Sequence, residues 1–236
     1  GMTADIAAIL AIDGIATGAV YALVAIGTVL IFTVTRVIFI PFGDIAAFTA
    51  LTLAALDARQ LPGTVGLVVV LACMASAMEV VSLARAGEFR AVPKAVLGYL
   101  VLPLMVVGIV WLTMRFNPPM PVRIVLALLL IMPISPLLDR IVFRPIADAS
   151  VLLLLTVSVA LHFALVGLGL LFFGPEGVRT EPLTSMAIEV AGVHVSGQTV
   201  LILTAALVFS GLLFLFFDFT LIGKARERAV HAEDEI

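Results

Sequence analysis

Three titratable side chains stand inside long apolar runs of this 236-residue chain: Asp44, Glu79 and His162. If those runs cross a bilayer, an ionised group at its centre costs about 2.5–3.5 kcal/mol on insertion scales. Each must then sit near an interface, find a partner, or serve a solute or a proton. Asp44 closes the sequence Pro41-Phe42-Gly43-Asp44. Proline and glycine together predict a broken helix, and Asp44 is placed to cap the half-helix that follows. Membrane carriers set such breaks beside their substrate sites, because freed backbone groups can hold polar ligands. The competing reading is a re-entry turn at the cytoplasmic interface, with Asp44 near Arg36. Glu79 lies six residues before Arg85, so pairing with Arg85 or snorkelling towards the interface accounts for it. A proton relay would need a second titratable group on a facing helix. His162, between Leu161 and Phe163, is the best candidate for that group; a neutral imidazole bonded to a neighbouring helix is the alternative. Thr156 and Ser158, in the same run, are expected to bond their own helix.

No other constellation of chemical groups emerges. The histidines at 162, 194 and 231 fall in three separate stretches, and there is no HExxH, no GxSxG and no GxxxxGK[ST] loop. A single cysteine, Cys73, excludes a disulfide framework and a cysteine zinc site. Neither a metal, a cofactor nor a catalytic set is expected, and the chain does not read as an enzyme. Net charge is −3, so no basic face meets nucleic acid.

Composition fixes the setting of these residues. Of the chain, 63% is hydrophobic and 12% charged, with mean hydropathy +1.27. A soluble domain of this size cannot hide that much apolar surface. Lipid offers the backbone no partners, so the runs must be helices or a closed barrel, and they lack the strict alternation of barrel strands. Seven spans are expected, at 14–35, 37–56, 64–83, 95–114, 122–138, 151–173 and 199–217, with Pro133 and Pro136 bending or ending the fifth. The fold class is therefore an all-α polytopic helix bundle, residues 1–219, with a charged tail over 220–236. Residues 1–13 lack Lys and Arg, so the first run reads as a retained span rather than a cleaved leader, and Gly1 ahead of Met2 reads as an appended residue.

Lys and Arg set the orientation. With the N-terminus outside, the inner side holds Arg36, Arg85, Arg90, Lys94, Arg140, Arg144, Lys224, Arg226 and Arg228, nine against the outer Arg59, Arg115, Arg123 and Arg179. The polar stretch 174–198 then lies outside. Alternation over Ile188–Val195 predicts a small hairpin, Ser196 caps the last span, and a soluble partner could meet this side. Gly14 and Gly18 form a GxxxG which, with Gly27, predicts close helix approach.

Four stretches resemble the permease subunit of ABC transporters for branched-chain amino acids, a family that also handles amides and urea. Gly14-Ile15-Ala16-Thr17-Gly18-Ala19-Val20-Tyr21-Ala22-Leu23-Val24-Ala25-Ile26-Gly27 resembles the family's opening span, NGLxxGxxYALxALG. Arg140-Ile141-Val142-Phe143-Arg144-Pro145-Ile146 is similar to its RVxYRPL loop, and Val195-Ser196-Gly197-Gln198 precedes a span as in some members. Leu221-Ile222-Gly223-Lys224-Ala225 with Arg228-Ala229-Val230 resembles the LGRAxRAxAED lead into the cytoplasmic loop that docks on the ATPase. The departures are specific. The NFAHGE turn reads Phe39-Ile40-Pro41-Phe42-Gly43-Asp44, keeping the glycine and the acid but not the Asn and His. The stretch from Asp44 to Arg144 is longer by about one two-span hairpin, the docking loop has an extra residue near His231, and the family continues with further spans.

The resemblance implies the N-terminal portion, or a divergent relative, of a permease in a bacterial inner membrane. Such a subunit works with a second permease subunit, ABC ATPase subunits and a periplasmic solute-binding protein, and hydrolyses no ATP itself. It implies that Pro41, Gly43 and Asp44, with His162, lie near the solute path. Arg144 and Pro145 would fix an inner loop, and Gly223, Lys224, Ala225 and Arg228 would meet the ATPase. A non-transporting membrane scaffold and a proton-coupled carrier using Asp44, Glu79 and His162 are the competing expectations.

Overall fold

The computed structural model describes residues 2–180, 182–190 and 193–217. The chain divides into two units, residues 1–30 with 182–236, and residues 31–181. Among the described residues, six helices are long and apolar enough to cross a membrane: Thr3–Thr35, Gly63–Ala86, Phe89–Met114, Met120–Ile146, Val151–Phe173 and Gly197–Leu215. The chain is thus a multi-pass helical membrane protein.

Helix α1 runs over Met2–Thr35, starting twelve residues before the expected span. Neither proline nor glycine interrupts those twelve residues, so nothing in them stops the helix. The chain leaves α1 through Arg36, which takes the left-handed conformation at φ 57°. Helix α2 covers Phe42–Asp57, only 16 residues. The segment expected at 37–56 is therefore helical only from Phe42. At 1.5 Å per residue α2 is about 24 Å long, short of the roughly 30 Å hydrocarbon layer.

In the unit of residues 31–181, α3 (Gly63–Ala86) touches most of its neighbours. It packs against α2, α5 (Leu102–Met114), α6 (Met120–Ile131), α7 (Ile134–Leu138) and α8 (Val151–Phe173). Its face of Leu67, Val68, Leu71, Ala72 and Ala75 is buried in the largest apolar cluster, with Phe39, Phe48, Ile134 and Leu165. Small residues along this face let the backbones approach, which is how helices associate when lipid is as apolar as leucine.

Two proline-directed distortions shape the same unit. The short helix α4 (Val92–Val96) passes into a π-helical turn at Leu97–Val101, two residues before Pro103. A second π turn, Asp139–Phe143, ends two residues before Pro145, and a 3-10 turn follows at Arg144–Ile146. In each case proline has no N–H for the carbonyl four residues back, and its ring crowds that carbonyl. Widening the preceding turn relieves both problems. Pro133 interrupts the fifth expected span, as anticipated: α6 ends at Ile131 and α7 restarts at Ile134.

The unit of residues 1–30 with 182–236 contributes the expected hairpin. Strand β1 (Ala187–Val190) pairs antiparallel with β2 (Val193–Ser196), Ile188 opposite Val195. Helix α9 (Gly197–Phe217) follows directly, and Ser196 Oγ accepts from the Thr199 N–H at 3.3 Å, the cap foreseen for it. Ile26 and Leu30 of α1 and Leu212 of α9 line one apolar cavity.

The glycines that enforce close packing are not the GxxxG pair. A Cβ added at Gly14 or Gly18 would meet nothing within 4 Å, and Gly27 is half-buried. Within the unit of residues 31–181 the tight sites are Gly63 and Gly66, both against Phe172, and Gly169 against Phe48. They mark an antiparallel α3–α8 crossing and the α2–α8 contact. A Cβ at Gly63 would overlap the backbone carbonyl of Phe172, which cannot move away as a side-chain tip can. Gly63→Ala should therefore destabilise the detergent-solubilised protein by about 1–3 kcal/mol, while Gly14→Ala should stay within about 0.5 kcal/mol. Thermal or denaturant unfolding of the two variants side by side checks this.

Candidate functional site

The break between α1 and α2 rises along α8. Val37 N–H donates to Thr35 Oγ1 at 3.3 Å, Phe42 N–H to the Phe39 carbonyl at 3.2 Å, and Ile40 N–H to Ser158 Oγ at 3.0 Å. Ser158 thus serves a neighbouring segment, against the expectation that it would bond its own helix. Thr156 does bond its own helix, donating to the Leu152 carbonyl at 2.9 Å. A backbone amide leaving a helix inside an apolar bundle has no water to turn to, so a hydroxyl on the facing helix stabilises the break.

One helical turn beyond Ser158, His162 Nδ1 lies 2.7 Å from Asp44 Oδ2. Asp44 is in the first turn of α2 but makes no capping bond; the N-cap position is Pro41. Both alternatives for Asp44, helix cap and neighbour of Arg36, are corrected by this contact. The reason is reach: the break carries α2's start away from Arg36 and up to the middle of α8. His162 is the twelfth of the 23 residues in α8, about 16 Å from its first residue at 1.5 Å per residue. With an ionised carboxylate as acceptor, the pair requires the hydrogen on Nδ1, which leaves Nε2 as the acceptor of a neutral ring. Asp44 is 13% exposed and His162 36%, so the carboxylate is the enclosed partner. Pro41 is buried at the root of the half-helix, whereas Gly43 is exposed, with open space where a Cβ would stand.

Polar pairs also mark the two ends of this unit. At one end, Arg123 Nη1 donates to Asp57 Oδ1 at 3.3 Å, and Arg123 Nε donates to the Pro118 carbonyl at 2.9 Å. Asp57 Oδ2 is buried without a hydrogen-bond partner among the described residues. Nearby, the buried hydroxyls of Thr52 and Thr64 bond each other across α2 and α3. Arg59 and Arg115 line one cavity there, with the Arg115 guanidinium 3.9 Å above the Trp111 ring.

At the other end, Arg140 Nε donates to Glu79 Oε2. Glu79 therefore pairs neither with Arg85 nor with His162. Arg85 lines the same cavity as Glu79, but it is the π turn at 139–143 that brings a guanidinium, that of Arg140, into bonding distance of the carboxylate. Arg144 Nη1 donates to Tyr99 Oη at 3.0 Å, linking the 3-10 turn at 144–146 to the π turn at 97–101, and Arg144 Nε lies 3.9 Å from Asp139. Arg144 and Pro145 thus belong to a built corner, and they share a cavity with Arg85 and Arg140. Gly223, Lys224, Ala225 and Arg228 lie outside the described residues.

Arranged this way, the middle of the unit offers a carboxylate, an imidazole acceptor and a serine hydroxyl beside an interrupted backbone. Such a set can hold the ammonium or hydroxyl groups of a small polar solute, or pass a proton between carboxylate and imidazole. The sequence singles out Asp44 and His162 but not their contact, and it misses the part Ser158 plays across the helices.

The pairing makes a specific expectation. His162→Leu should destabilise the protein by about 1–3 kcal/mol, because it strands a mostly buried carboxylate. The double variant Asp44→Leu/His162→Leu should recover most of that loss, since two apolar groups leave no unpaired charge. A double-mutant cycle by unfolding in detergent measures both. Comparison with models of known families, with curated proteins and with solved structures finds no match to this chain.

Proposed function

We propose that this chain is the permease subunit of an ATP-driven importer in a bacterial inner membrane, walling the path of a small polar solute such as a branched-chain or other amino acid. The observation that carries this reading is the interrupted α1–α2 junction with Asp44 held against His162 halfway along α8. A half-helix that starts in mid-bundle beside polar side chains is the arrangement by which membrane carriers offer backbone and side-chain groups to a solute. The likeness of four sequence stretches to the branched-chain amino-acid permeases names the class.

In this reading the chain crosses the membrane seven times, α2 and its extended lead-in making the short second crossing, with the N-terminus outside and the C-terminus inside. The grouping of cations supports that orientation. Arg85, Arg140 and Arg144 line one cavity, and Arg59 and Arg115 line another, matching the inner and outer sets drawn from the positive-inside rule. The subunit acts with a second permease subunit, two ATPase subunits and a periplasmic binding protein. It supplies two packings that face opposite sides, and the ATPase, seated on the 220–236 region, biases one of them.

A second reading is favoured by the same pair. A carboxylate bonded to an imidazole inside the membrane is also the chemistry of a proton relay, which would make the chain a proton-coupled carrier.

Affinity purification of the tagged chain from its native membrane, followed by mass spectrometry, tests the first reading. An ABC ATPase subunit should co-purify, and Lys224→Glu/Arg228→Glu should release it. Recovery of the chain without any ATPase would overturn the importer assignment. In cells making the whole system, Asp44→Ala and His162→Ala should each lower solute uptake, normalised to the amount of protein in the membrane, by about tenfold or more. Uptake that survives ATP depletion but collapses with the proton gradient would favour the carrier.

A further inference from the structure

We propose that the cavity between the last turns of α3 and the Asp139–Ile146 turns binds an anionic phosphate group, that of a phospholipid headgroup in the adjoining leaflet. The cavity measures about 660 Å³ and is lined by Glu79, Ser82, Arg85, Arg140 and Arg144 among others. Three guanidiniums therefore face one carboxylate. Arg140 is buried and bonded to Glu79, so those two charges offset each other. Arg85 is exposed and has no ion pair among the described residues, and Arg144 meets a carboxylate only at 3.9 Å, its closer partner being the neutral Tyr99 hydroxyl. Two cations are thus left with little neutralisation around one cavity.

The positive-inside rule asks only that Lys and Arg stand on one side of the membrane. It does not ask that they converge from separate helices. Here Arg85 comes from the last turn of α3, Arg140 from the π turn at Asp139–Phe143 and Arg144 from the 3-10 turn that follows it. Like charges gathered around one cavity repel unless an anion sits among them. The guanidinium fork matches phosphate oxygens in geometry as well as charge. Ser82 adds a hydroxyl, and Ala77, Met78 and Val81 supply an apolar wall on the same helix. The site stands at the ends of two candidate membrane spans, Gly63–Ala86 and Met120–Ile146. A phosphate there has acyl chains beside it, and basic pockets between membrane helices hold lipid headgroups in this way. The inference does not depend on what the chain transports.

Native mass spectrometry of the full chain in detergent tests it, using phosphatidylglycerol and phosphatidylcholine of identical acyl chains. Wild type should retain phosphatidylglycerol over phosphatidylcholine. Arg85→Gln/Arg144→Gln should lower phosphatidylglycerol retention by about tenfold and leave phosphatidylcholine unchanged, and Arg85→Lys/Arg144→Lys should keep most of the binding. Should the double variant fail to give a monodisperse peak, the exposed single variant Arg85→Gln carries the test, with a smaller loss expected. A second arm uses sodium phosphate without lipid. Arginine-dependent phosphate binding with no retained phosphatidylglycerol would overturn the lipid source while keeping the phosphate chemistry. Equal retention of the two lipids, retention untouched by the arginine variants, or capture of an acidic protein through Arg85 and Arg144 in place of either phosphate probe would overturn the proposal.

Discussion

A carboxylate cannot be left alone in the middle of an apolar bundle, and the contact between Asp44 and His162 is how this chain meets that constraint. An unpaired charge there costs a few kcal/mol even on lenient scales, comparable to the margin by which single domains hold together. The contact therefore fixes more than two side chains. It sets how far α2 rises beside α8, which in turn requires the chain to climb from Arg36 to Phe42 without helical hydrogen bonds. That climb is possible because Ser158 takes up the Ile40 amide one turn before His162. Removing the carboxylate's partner would leave an extended segment with no electrostatic reason to be there.

The ends of the same unit obey related logic with different parts. Arg123 ties the start of α6 to Asp57 at the end of α2, and Arg140 ties the Asp139–Phe143 turn to Glu79 on α3. Both arginines bridge elements far apart in sequence, so they hold helices together where lipid supplies little driving force of its own. Pro103 and Pro145 each follow a widened turn, and the Tyr99–Arg144 bond joins the first of those turns to the 3-10 turn that follows the second. Glycine plays the complementary role at Gly63, Gly66 and Gly169, where backbone and ring approach too closely for any Cβ. The outcome is a unit whose polar groups sit at three levels along the helices, with an apolar cluster between them.

What could be read from the residues alone follows from how local each feature is. The hairpin at Ala187–Ser196 and the Ser196 cap involve neighbours in sequence, and alternation plus a hydroxyl before a helix announces them. The membrane spans follow from run length and hydropathy. The broken helix was legible because Pro41 acts on its own backbone: the interruption runs over residues 36–41 and α2 starts directly after Pro41, with Gly43 already helical. Pairings were not legible. Glu79 had Arg85 on its own helix as the nearest cation in sequence, but a π turn absent from any simple periodicity brings Arg140 to it instead. His162 was identified as titratable without its partner, since choosing between Asp44 and Glu79 requires the azimuth and depth of α2. Likewise GxxxG at Gly14 and Gly18 marks a face without saying what covers it, while Gly63, Gly66 and Gly169 carry no motif and act only through Phe172 and Phe48.

The central claim is that the start of α2 lies at mid-bundle, with its carboxylate beside His162. Cross-linking in native membranes tests this most directly. In a Cys73→Ala background, Asp44→Cys/His162→Cys should be joined efficiently by a short bifunctional thiosulfonate, whereas Arg36→Cys/His162→Cys should not. The contrary result is equally clear: cysteines at 44 and 162 that each react singly but are never bridged, with 36 and 162 bridged instead, would return Asp44 to the membrane surface and remove the basis of the site.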